Sequence, residues 1–114
     1  MTQKGAAAER LAEGFLVARG LRLLERNYRC RFGEIDLVMR EGNTLVFVEV
    51  RLRTHAGFGG AAASITGAKR ARLLRAARHY LAALPSTPQC RFDAVLLGAE
   101  GAASIEWLRD AFGE

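Results

Sequence analysis

Asp36 and Glu49 stand equally far from the turn signal Gly42-Asn43, within the stretch from Gly33 to Arg51. A hairpin centred on that turn pairs Glu41 with Thr44 and, continuing outward, sets Asp36 directly across from Glu49. Opposed Cβ atoms in an antiparallel pair lie about 4.5–5.5 Å apart, and like charges there are destabilising. A fold that keeps two acids in this arrangement calls for a cation between them, and a divalent metal is the most economical one. Magnesium takes hard oxygen ligands, typically one or two carboxylates together with water and substrate phosphate. Such an ion polarises a phosphoryl oxygen and lowers the pKa of an attacking water, which is the chemistry of phosphodiester hydrolysis. Arg51 shares a strand face with Glu49, where it can neutralise the acids or bind the scissile phosphate. Its guanidinium stays protonated in proteins, so it cannot serve as a general base.

The charge map supplies a neighbourhood for that chemistry. The net charge is +5, and no acid occurs between Glu49 and Asp93. That interval holds Arg51, Arg53, Lys69, Arg70, Arg72, Arg75, Arg78 and Arg91, which leaves the remaining nine of 17 cations facing all 12 acids. A contiguous basic block is a usual footprint of phosphate-backbone binding, and equally of a solvated surface. Arg53, Lys69, Arg72 and Arg75 are its candidate nucleic-acid contacts.

These residues need elements to position them. Ala8, Leu11, Ala12, Phe15 and Leu16 recur at helical spacing and predict a helix over 3–19 that ends at Gly20. Glu9 lies beside that apolar stripe and offers a third carboxylate if the helix packs near the hairpin. Residues 21–28 predict a first strand, followed by a turn at Gly33. The hairpin strands are apolar on both faces in their middles, which predicts a central pair covered on both sides. Carboxylates there carry a desolvation cost that needs compensation.

The glycine-rich segment 55–60 lacks the spacing of a phosphate-cradling loop. It reads as a flexible connection, with His55 exposed. Ser64 or Thr66 caps a second helix running to about Leu84, buried through Leu73, Ala76, Ala77, Tyr80, Leu81 and Leu84. Residues 91–97 predict a strand and 104–108 a last short one. Asp93 reads as a salt-bridge or turn acid beside Arg91, and Trp107 and Tyr80 read as core residues. The fold class expected is a three-layer α/β/α sandwich with a central mixed sheet, one domain over 1–114.

Gly5-Ala-Ala-Ala-Glu9, Arg26-Asn27-Tyr28, Gly33-Glu-Ile-Asp-Leu37, Phe47-Val-Glu-Val-Arg51, Arg53, Phe58-Gly59, Lys69 and Arg91-Phe-Asp93 follow one another along nearly the whole chain. In these the chain resembles the YraN-like family of uncharacterised bacterial proteins. That family is similar in fold to restriction-endonuclease-like nucleases and archaeal Holliday-junction resolvases. The resemblance implies an Asp…Glu-x-Lys nuclease site with Asp36 and Glu49 as its two acids and Glu9 as the helical Glu of resolvase-like members. It implies Mg²⁺ or Mn²⁺ as cofactor. Arg51 departs from the motif, which has lysine there.

Three readings stay open: a metal-dependent nuclease acting on DNA, branched DNA among its substrates; a non-catalytic nucleic-acid-binding module that kept the fold while the lysine drifted; and a protein-interaction adaptor. In the expected hairpin register Glu34 faces Arg51 and is read as its ion-pair partner rather than a metal ligand. Asp36 and Glu49 could instead form a structural cluster with Arg51 and Arg53. No apolar run approaches the ~18 residues that span a bilayer, so no membrane partner is expected and a cytoplasmic location is the default. Cys30 and Cys90 are isolated and expected to be reduced, at least one of them buried, though sequence leaves a disulfide open. Oligomeric state is open too, a homodimer through a strand edge being one arrangement.

Overall fold

The computed structural model describes residues 4–52, 67–98 and 101–112, with side chains for 6–52, 67–98 and 104–111. Its elements run α1 (Lys4–Ala18), β1 (Arg22–Cys30), β2 (Gly33–Glu41), β3 (Thr44–Leu52), α2 (Gly67–Ala82), β4 (Gln89–Gly98) and β5 (Gly101–Phe112). Arg53, the glycine-rich segment, Ser64 and Thr66 lie outside the described residues.

Helix α1 buries Ala8, Ala12 and Leu16 at intervals of one turn. It stops at Gly20, whose φ of +102° suits only glycine. Leu21 N–H donates to Leu16 O at 3.1 Å and Gly20 N–H to Val17 O at 3.0 Å, which satisfies two of the helix's terminal carbonyls. The β2–β3 turn has Gly42 at φ +60° in its first central position, the type II′ arrangement that matches strand twist.

The five strands form one sheet in the order β1-β2-β3-β4-β5. β1, β2 and β3 make an antiparallel meander, β3 and β4 run parallel, and β5 returns antiparallel on β4. The parallel step needs a crossover, and α2 lies in it. Leu37, Met39, Val46, Val48, Val50, Val95 and Leu97 meet α1 on one face. Val38, Leu45, Phe47, Phe92, Ala94 and Leu96 meet Leu73, Ala76 and Ala77 of α2 on the other. The result is the mixed-sheet α/β/α sandwich that the sequence predicts, the layering of restriction-endonuclease-like folds. β5 runs well beyond the short strand expected, and Tyr80, Leu81 and Leu84 are only partly buried. Both cysteines are free, Cys30 half-buried and Cys90 exposed, so the expectation of a buried thiol is not met.

Asp93 is fully buried and its carboxylate is saturated with donors. It accepts from Arg91 Nε at 2.9 Å, Trp107 Nε1 at 2.9 Å and the backbone N–H of Asp110 at 2.8 Å. Asp110 has φ +52°, and the β4–β5 register shifts between Phe92 and Ala94. Asp93 therefore pins an irregularity between two strands, a structural task. Arg91 continues the network to Glu41 at 2.8 Å, and Arg109 meets the same acid.

Candidate metal centre

The hairpin register is the expected one from Glu41↔Thr44 as far as Leu37↔Val48, and there it stops. Continuing outward would pair Ile35 with Val50. Instead the backbone N–H of Val50 donates to Asp36 Oδ2 at 2.8 Å, so a side chain takes a ladder position. β2 stays paired to β1 through Ile35 and Glu34, while β3 stays paired to β4 out to Leu52. The two central strands thus part at Asp36 and Glu49.

Side-chain alternation breaks at the same point. Ile35 and Val38 both pack on the α2 face although they are three positions apart, an odd step that should put them on opposite faces, while Leu37 packs on the α1 face. On the neighbouring strand, Asn27 falls between the pairs Arg26↔Leu37 and Tyr28↔Ile35, opposite Asp36, with φ +52°. Asn tolerates this left-handed backbone better than most residues. Two adjoining irregularities therefore redirect Asp36 away from the position directly facing Glu49.

The partner Asp36 gains is α1. Glu9, Glu34 and Asp36 each present an oxygen within 4.8 Å of the other two. Glu9 and Asp36 are only 9% and 8% exposed, and Glu34 is exposed. Asn27 Nδ2 donates to Glu9 Oε1 at 2.8 Å and to Glu34 Oε2 at 3.2 Å, fixing two of the three acids from one amide. Burial pushes the Glu9 carboxyl above its usual range, the Asn27 hydrogen bond offsets part of that, and the nearby Asp36 and Glu34 charges push it up further. Glu34 does not face Arg51: the strands have separated, and it pairs with Arg29 across β1–β2 at 3.5 Å.

Glu49 occupies the other lip of the opening. It is 2% exposed, and the Asp36 charge acts on it. Burial, then the Asp36 charge, push its carboxyl up to about 7, against the pull of Lys69 and Arg51. Lys69 Nζ lies 2.9 Å from Glu49 Oε2 and Arg51 Nη1 3.5 Å from the same atom. These are contacts of charge, since among the described residues Oε2 is buried with no well-directed hydrogen bond.

The donor set fits a hard divalent cation: three clustered carboxylates and a fourth carrying a buried, poorly satisfied oxygen. It groups the predicted residues differently from the sequence. Glu9 and Asp36 come together, with Glu34 added, while Glu49 stands adjacent with Arg51 and Lys69. Lys69, expected as a nucleic-acid contact, is half-buried against Glu49, with 32% of its side chain exposed. Arg72 and Arg75 are exposed on α2, and the Cβ and backbone of Arg72 lie against Gly33, the residue before Glu34. A cleft of about 740 Å³ lies at the hairpin-turn end, lined by Leu45, Tyr80 and Leu84 among others, and none of these carboxylates lines it. No described helix is long and apolar enough to cross a membrane.

Fold and site together define a class: an α/β/α sandwich with acids gathered where two central strands part, beneath the first helix. The model of Uncharacterised protein family UPF0102 matches residues 8–97, and the chain belongs to that family. A UPF0102 protein of Nitrosospira multiformis is 61% identical over 109 residues, covering 96% of this chain and 92% of the relative. One from Nitrosomonas europaea is 60% identical over 111 residues, covering 97% and 94%. One from Methylobacillus flagellatus is 60% identical over 112 residues and covers 98% of both.

Proposed function

We propose that the protein is a metal-dependent nuclease that hydrolyses phosphodiester bonds in DNA, with branched DNA among its substrates. The observation that carries this reading is the convergence of Glu9, Glu34 and Asp36 beside buried Glu49. Acids so close repel one another, and a divalent cation removes that cost. Glu9, Asp36 and Glu49 would hold Mg²⁺ or Mn²⁺, with Glu34 at the exposed rim. The ion would supply Lewis-acid polarisation of the phosphate and a more acidic bound water.

The chain's own residues do the rest. Asn27 holds Glu9 and Glu34 in position, and Val50 N–H fixes the Asp36 carboxylate through Oδ2. The α2 surface, with Lys69, Arg70, Arg72, Arg75 and Arg78 and no acid over Gly67–Ala82, attracts the phosphate backbone.

Arg51 in the motif's lysine position favours a second reading, a nucleic-acid-binding module without catalysis. A cleavage assay separates the two. The nuclease reading expects Mg²⁺- or Mn²⁺-dependent cleavage that disappears in Asp36→Asn and Glu49→Gln. The module reading expects steeply salt-dependent binding with no hydrolysis.

A further inference from the structure

The cations at Glu49 come from different elements and differ in what they can do. Arg51 lies two residues along the same strand, its guanidinium 3.5 Å from Glu49 Oε2. Lys69 comes from α2, across the crossover, and brings its ammonium to 2.9 Å from that oxygen. An ammonium is a compact charge with three rotatable donors, whereas a guanidinium is a rigid planar fork suited to holding a carboxylate. About a third of the Lys69 side chain remains exposed while Glu49 is buried beneath it. Lys69 is therefore a partly exposed cation lying against the buried acid.

Lys69 holds its charge against Glu49, and an incoming phosphate would draw on the same charge.

We propose that Lys69, delivered from α2, is the catalytic cation of this site, donating to a non-bridging oxygen of the scissile phosphate, and that Arg51 instead fixes Glu49. This rests on the nuclease reading and names a residue that performs it. In the step, the water oxygen forms a bond to phosphorus as the bond from phosphorus to the leaving sugar oxygen breaks. The attacking water gives its proton to bulk solvent, and the leaving oxygen takes one from solvent. Lys69 keeps its protons throughout and stabilises the charge that builds on the phosphate.

The test compares wild type with Lys69→Gln, Lys69→Arg, Arg51→Gln and Arg51→Lys. Each is assayed for Mn²⁺-dependent cleavage of labelled branched and duplex DNA, and each for Mn²⁺ affinity by titration calorimetry without DNA. Lys69→Gln is expected to lower kcat by about 10²–10³-fold, the usual loss for one preorganised donor. Its Mn²⁺ affinity should hold or tighten, because a positive charge beside Glu49 is removed. Lys69→Arg should recover part of kcat, and Arg51→Lys should bring no gain.

A merely structural lysine would give a different pattern, with Mn²⁺ affinity and kcat falling together in Lys69→Gln. That result overturns the proposal, as does wild-type kcat in Lys69→Gln or a gain of activity in Arg51→Lys. If wild type cleaves and Lys69→Gln cleaves equally, Lys69 fails and the nuclease reading stands. If wild type cleaves nothing, the nuclease reading itself fails, and this role with it.

Discussion

Replacing Glu49 by Gln should change how stability depends on pH, by an amount the site itself sets. Burial and the Asp36 charge lift the Glu49 carboxyl from the ordinary 4.5 to about 7. Between those values the folded protein holds a proton that the unfolded chain has released. Stability is therefore greatest below the lower value, falls as pH rises through the upper one, and stays reduced above it. At 1.36 kcal/mol per unit, the fall is about 3 kcal/mol. In a chain of 114 residues that corresponds to roughly 10 °C in Tm.

The assay is urea unfolding in EDTA at pH 5 and pH 8, followed by far-UV circular dichroism, on wild type and Glu49→Gln. Gln keeps the volume and removes the titration. Glu9 is also raised and Glu41 is lowered by Arg109 and Arg91, so wild type alone mixes several groups. The difference between the two proteins isolates Glu49. A loss between pH 5 and 8 that is equal in both would refute the reasoning, because the buried carboxyl would then not carry the proton.

Three further outcomes follow from the same geometry. Asn27→Gly leaves the left-handed backbone unstrained and removes only the amide that joins Glu9 to Glu34. It should weaken Mn²⁺ binding by about 10–100-fold in calorimetry, with little change in Tm. Asp93→Ala leaves Trp107 Nε1 and the Asp110 N–H without their acceptor and Arg91 with Glu41 alone, and should cost about 3–5 kcal/mol in urea unfolding, the range for breaking a buried pair. Neutralising Arg72 and Arg75 together should weaken duplex binding and lower the slope of log affinity against log salt by about 0.9 for each lost phosphate contact.

Much of the fold was legible because its signals are local. Gly42-Asn43 fixes the hairpin register from Leu37 to Val48, and Gly20 ends α1 where the apolar spacing ends. The two-sided apolar strands announced a covered central sheet, and the charge pattern around Asp93 announced its salt bridge. The site was legible in its residue types but not in its grouping. Alternation puts Asp36 opposite Glu49 only while the ladder continues, and nothing in a period of two foretells that Asp36 will take the Val50 N–H. Asn27 carried a readable hint, since Asn is depleted inside strands and favours left-handed backbone. The contact of Lys69 with Glu49 joins residues far apart in the chain through the packing of α2 on the sheet, and helix periodicity does not report it.

The central claim is that these carboxylates hold a divalent metal for phosphodiester hydrolysis. The most direct measurement is a Mn²⁺ titration of nucleic-acid cleavage by purified wild type, Asp36→Asn and Glu49→Gln, on duplex, single-stranded and branched DNA and on RNA. The account predicts saturable, metal-dependent cleavage of DNA by wild type, abolished by EDTA and absent from both variants. No cleavage of any substrate by wild type, or equal cleavage by all three proteins, would contradict it.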